Sequence, residues 1–171
     1  MKRTVVALAV SLIASPAFAQ QVNDAQIAAI VVAANQVDID AGRFAAATST
    51  NKEVKAFAER MVTDHTGVNK AASDLVGKLG VTPQENETSA SLKKGGEKNV
   101  AHLKTLKGAA LDRAYFSQEV AYHQQVLDAL DKTLIPNAQN AELKALLVKV
   151  RPAFVAHLEH AKHLQATLGG K

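Results

Sequence analysis

The chain has 171 residues, 47% of them apolar and 21% charged, and a formal net charge of +4 at pH 7. It contains no cysteine, which excludes disulfides, thiol chemistry and a lipid-modified cysteine. The charge is small, and Lys93, Lys94, Lys98, Lys104 and Lys107 gather without interleaved aromatics, so they read as a solvated face and not a nucleic-acid surface.

The chain opens with a basic start, Met1-Lys2-Arg3, followed by an apolar run from Thr4 to Ala14 and a break at Ser15-Pro16. Ala17-Phe18-Ala19 then supplies the small residues of a signal-peptidase site. The expectation is cleavage after Ala19, a signal peptide over residues 1–19, and one exported domain over residues 20–171 in the periplasm or envelope. No later stretch reaches the ~20 apolar residues of a membrane span.

Ile27, Ile30, Ala34, Val37, Ala41, Phe44 and Thr48 step by three and four and predict a first helix, capped by Asn23 or Asp24. A second helix starts near Asn51 with the stripe Val54, Phe57, Met61, His65, Val68, Ala72, Leu75 and Leu79, and Gly80 ends it. Thr82 to Gly96 is polar and rich in turn formers, with at most one helical turn around Leu92. A short helix is expected over Glu97 to Lys107. The third main helix carries Phe116, Val120, His123, Leu127, Leu130 and Leu134 and stops at Ile135-Pro136-Asn137. The last carries Leu143, Leu147, Val150, Phe154, His157, Ala161, Leu164 and Leu168, with Pro152 expected to kink or interrupt it near Val148. The whole reads as a single all-α four-helix bundle with a short extra helix in the middle crossover.

His65, His123 and His157 each occupy a slot in an apolar stripe, close to the middle of three different helices. His157 lies roughly 6 Å past the midpoint of its helix. Buried polar groups need partners, so these histidines form either a hydrogen-bonded structural layer or a ligand site. Asp38, with Asn35 a turn earlier, flanks the first stripe, and Asp40 lies on the other flank. Asp64 adjoins His65, and Glu119 shares a face with His123. Imidazole with carboxylate suits zinc, iron or manganese; copper(I) would find only Met61. In the structural alternative, Tyr115 and Tyr122 are candidate partners for the rings.

Di-iron oxidases need a Glu-x-x-His pair on each of two helices. Val62, Val120 and Phe154 stand three residues before the histidines, so ferroxidase or oxygen-activating chemistry is not expected. His102, His160 and His163 are expected at the surface. No nucleophile elbow or phosphate-binding glycine loop is present in the sequence.

Asn35-Gln36-Val37-Asp38, the segment Phe57 to His65 with its Met-Val-x-Asp-His ending, Leu111 to Tyr115 with His123, and Pro152 with His157-Leu158 occur in a telling order. Together they resemble an exported bacterial family of unknown function with a ferritin-like fold, often labelled outer membrane proteins. The resemblance implies a ferritin-like four-helix bundle in the periplasm or at the envelope, although the sequence has neither barrel strands nor a lipid anchor. It also implies glutamate as the family residue where this chain has Asp38. It brings no activity with it.

The leading expectation is therefore a non-catalytic exported bundle that binds a divalent metal (zinc, iron or manganese) through His65, His123 and His157, with Asp38, Asp64 or Glu119 assisting. The competing expectation is a metal-free structural or protein-interaction module in envelope stress or adaptation, with a protein partner or a second copy as its ligand.

Overall fold

The computed structural model describes residues 22–169; the expected signal peptide lies outside the described residues. Those described are almost entirely helical, as expected, and among them no helix is long and apolar enough to cross a membrane.

Helix α1 spans Asp24–Thr48. Asn23 caps it in a reciprocal box: its side chain accepts from the Gln26 amide at 2.9 Å, and the Gln26 side chain accepts from the Asn23 amide at 3.1 Å. Helix α2, Lys52–Lys78, follows a turn of three residues and is capped by Asn51. It ends where Gly80, at φ +64°, adopts the left-handed conformation that glycine takes without strain. The Val81 amide then reaches back to the Val76 carbonyl and that of Gly80 to the Gly77 carbonyl, closing a Schellman turn.

Helix α3, Glu87–Lys104, corrects the expectation of a turn-rich stretch up to Gly96. Asn86 starts it with a second capping box, paired with Ser89. Its polar sequence carries only a sparse inward line, Ser89, Gly96 and Leu103, with Leu92 and Val100 partly buried beside it. Gly96 sits against Val37 of α1, so close that a Cβ built there would stand 2.7 Å from Val37 Cγ2.

Helix α4, Gly108–Ala129, continues through a π turn, Leu130–Leu134, into the short α5, Ile135–Asn137. Pro136 has no N–H, and in a regular helix its ring would strike the carbonyl four residues back. A wide turn immediately ahead, with the Ile135 amide bonded to the Leu130 carbonyl, is one way to admit it. The stop at Asn137 is as expected. Helix α6 runs from Ala141 to Gly169 and is not interrupted at Pro152. Val148, whose carbonyl loses its usual partner, is 52% exposed, which leaves water to replace the bond.

Short turns make α1 and α2 one antiparallel pair, and α4 and α6 another; α2 packs on α6, α1 on α4, and α3 lies along α1. At one end the Asp24 carboxylate accepts from the amides of Gln139 and Asn140, both at 2.9 Å. At the other, Ser49 donates to Asp112 at 2.7 Å, both residues being buried. The apolar core comes in two parts. One gathers Ile27, Ile30, Leu127, Leu134, Leu143 and Leu147; the other gathers Ala45, Phe57, Met61, Leu111, Phe116 and Leu164. Between them lies a polar layer.

The neighbouring glycines of α3 give a paired test of its docking. Gly95 has open space where a Cβ would go, so Gly95→Ala should stabilise the fold by about 0.5–1 kcal/mol through helix propensity alone. Gly96→Ala should instead destabilise by about 1–3 kcal/mol, because Val37 is a stiff β-branched neighbour. Urea denaturation of the two variants beside the parent measures both signs.

Candidate metal centre

Each of the four long helices contributes to the layer. Helix α1 brings Asn35 and Asp38, α2 brings His65, α4 brings Glu119 and His123, and α6 brings His157. These six residues are between 0% and 3% exposed. The imidazole centroids stand 5.6 Å apart for His65–His123, 5.3 Å for His65–His157 and 5.5 Å for His123–His157. One ligand atom from each histidine lies within 4.8 Å of the other two, and a second such group joins Asp38, Glu119 and His123. The expectation that three separate stripes would converge is met.

The hydrogen-bond network determines which nitrogen of each ring carries the proton. Asn35 uses its NH2 group on the Val31 carbonyl at 2.8 Å, so its oxygen must accept from His65 Nδ1 at 2.7 Å. His123 Nδ1 faces the Glu119 backbone carbonyl at 3.0 Å and must donate to it. His157 Nε2 faces the Asp64 carboxylate at 2.8 Å and donates likewise. The remaining nitrogens are His65 Nε2, His123 Nε2 and His157 Nδ1. All three are then bare lone pairs, and all three are buried without a hydrogen-bond partner among the described residues. Asp38 Oδ2 approaches them, at 3.2 Å from His65 Nε2 and 3.9 Å from His123 Nε2, without hydrogen-bond alignment. Glu119 Oε2 and the Tyr115 hydroxyl are buried beside one another, with the hydroxyl placed to donate to the Glu119 carboxyl.

Burial governs the electrostatics. It holds the pKa of His65 well below the ordinary value, helped by repulsion from His123 and His157, and pushes His123 down to about 4. His157 is lowered more gently, because Asp64 partly offsets its desolvation. Phe154 stacks flat on His65 at 5.1 Å and 8°, adding to the apolar surroundings. Asp38 and Glu119 are both raised well above the carboxylate range, first by burial and, for Glu119, then by the charge of Asp38. The rings are therefore neutral at pH 7, the state in which imidazole binds metals.

Asp64 does not reach the centre. It sits behind His157, 38% exposed, and also accepts from Arg60 Nε at 3.3 Å. Asp40 is a surface residue near Gln36 and Arg43. Tyr122 donates to the Ala34 carbonyl at 3.0 Å and so is no partner of the rings, whereas Tyr115 lies beside Glu119. His102 and His163 are exposed as expected, but His160 is half-buried, edge-on to Phe57 at 5.3 Å. Its position follows from the packing of α6 on α2, which the sequence of α6 alone does not specify.

These shifts give an acid dependence with a definite sign. A histidine with a folded pKa below its unfolded value adds stability at neutral pH, and that stability is lost as pH falls from about 6.5 towards the folded pKa. Raised carboxyls act oppositely, losing stability as pH rises above about 4, so the histidine contribution is best read by difference. The stability gap between the metal-free parent and His123→Gln should move by about 2 kcal/mol in the variant's favour between pH 7 and pH 4.5. Urea titrations with chelator present measure it; a gap that stays constant would mean that His123 is not buried neutral.

Over residues 11–164 the chain matches a family described as a domain of unknown function (DUF4142). No curated protein and no solved structure matches the chain. Because the match covers most of the sequence, including every residue of the polar layer, the chain belongs to the DUF4142 family.

Proposed function

We propose that this protein is a metal-holding helical bundle that binds one divalent ion through His65 Nε2, His123 Nε2 and His157 Nδ1, with Asp38 completing the coordination and Glu119 on its edge. The observation that carries this reading is three buried histidines that each bring a ligand atom within 4.8 Å of the other two, each with one ring nitrogen bare and the other backed by an acceptor. That is the outer arrangement typical of metal-binding histidines. A purely structural layer would pair its members, as Ser49 and Asp112 do at the end of the bundle. Here one buried nitrogen of each of the three rings has no hydrogen-bond partner among the described residues, and leaving each unpaired costs about 1–3 kcal/mol.

Charge supports the same reading. Burial favours the protonated forms of Asp38 and Glu119, and a divalent ion bound beside them would displace those protons, its +2 cancelling the −2 of the two ionised carboxylates next to three neutral imidazoles. Nitrogen and oxygen donors favour zinc, manganese or iron(II). The donors are enclosed by apolar side chains, which suits retention of an ion more than turnover of a bulky substrate.

Two finer readings belong with it. The two antiparallel pairs joined by α3 support a ferritin-like four-helix bundle, and the basic, apolar and Ala-Phe-Ala segments of residues 1–19 support export to the periplasm. N-terminal sequencing of the protein recovered from the periplasmic fraction should start at Gln20.

The deciding experiment is elemental analysis and calorimetric titration of untagged protein with zinc and manganese. One ion per chain is expected, with stabilisation of about 3 kcal/mol at a hundredfold excess over Kd. Both should vanish in a His65→Ala, His123→Ala double variant. A parent that comes without metal and takes up neither ion would leave the histidines as a structural layer.

A further inference from the structure

The polar layer is closed off along the bundle axis by an apolar cluster on either side. A small cavity of about 20 Å³ does reach Asp38 and His65, but Val31, Val68, Val126, Leu130, Leu147 and Phe154 are among its walls. A hydrated cation cannot afford to shed its water against such a lining. The sideways direction is different. His157 is itself 0% exposed, yet its Nε2 donates to a carboxylate that is 38% exposed. Among the described residues, Asp64 is the one solvent-reaching side chain bonded to a member of the layer. His157 thus has one nitrogen committed to the solvent-reaching Asp64, through Nε2, and the other, Nδ1, buried and bare.

Arg60, one turn earlier on α2 and 48% exposed, occupies the same Asp64 oxygen from the solvent side at 3.3 Å. His157 also senses Arg60 and His160 electrostatically, so this patch of α2 and α6 is continuous with the centre.

Building on the metal reading above, we propose that Asp64 and Arg60 form the exchange port of the buried centre. Asp64 attracts a divalent cation from solvent and, by releasing its hydrogen bond, frees His157 to swing aside and admit it. Arg60 competes for the carboxylate and sets how often the port opens. Asp64 is accordingly a positioning residue: closed, it fixes the His157 proton on Nε2 and leaves Nδ1 for the metal; open, it is the first negative charge that the ion meets.

The test is stopped-flow uptake of Co2+ by the metal-free full-length protein, followed by the visible absorbance of the bound ion, with release into excess chelator as the reverse reaction. Asp64→Asn keeps an oxygen for His157 but removes the charge, and should slow uptake about tenfold. Arg60→Gln should accelerate uptake and release together by severalfold, leaving Kd within about twofold. Asp74→Asn, about 15 Å further along α2 and paired with Lys70, should match the parent. NMR of the imidazole nitrogens should report His157 protonated on Nε2 in the parent and in Asp64→Asn, and a mixture of tautomers in Asp64→Leu. Uptake and release rates within twofold of the parent in both Asp64→Asn and Arg60→Gln would overturn the port while leaving the centre intact. A parent that takes up no Co2+ would overturn the centre and the port with it.

Discussion

Burying polar side chains in the middle of an apolar bundle imposes the constraint on which the rest of this structure depends. Six groups on four helices are withdrawn from water at one level, and each must find a partner or carry a desolvation cost. Outward, the solution is complete: Asn35, the Glu119 carbonyl and Asp64 each take the proton of one ring. Inward it is incomplete: one buried nitrogen of each ring has no hydrogen-bond partner among the described residues. The helices are also keyed by this arrangement. Slipping any one by a residue turns its side chains by about 100° and would replace a layer member with an apolar neighbour.

The same constraint explains what the sequence reveals. Four long helices follow from their stripes, and the starts of the first two from Asn23 and Asn51, because those signals are local. The histidines, Asp38 and Glu119 stand out because a titratable group in the middle of an apolar stripe breaks the pattern that surrounds it. Asp64 reads differently in sequence and in space. It adjoins His65, but neighbours on a helix diverge by about 100°, and it serves the histidine of another helix. Only the packing of α2 on α6 decides that, as it also decides the lodging of His160 against Phe57.

Helix α3 shows where a local signal fails. The stretch from Glu87 to Gly96 carries Ser89, Ser91 and two glycines with little apolar content, a composition that suggests a loop. Its order comes from the Asn86 cap and from contact with α1, neither of which follows from periodicity. The π turn ahead of Pro136 is similar: proline announces a stop, but not the wide turn that prepares it. Leu130 and Leu134, in that turn, line the small cavity beside His65 and Asp38, so the irregularity borders the layer.

The contact between Gly96 and Val37 has a consequence for how this chain can diverge. Val37 immediately precedes Asp38, so the crossover helix presses on α1 at the level of the polar layer. Most of α3 faces solvent and can change its side chains freely in length and charge. Gly96 cannot enlarge without moving α1 where the layer is anchored. Sequence drift in this segment should therefore be wide except at its buried positions, Ser89, Gly96 and Leu103, of which Gly96 acts as a spacer between a variable exterior and a demanding interior.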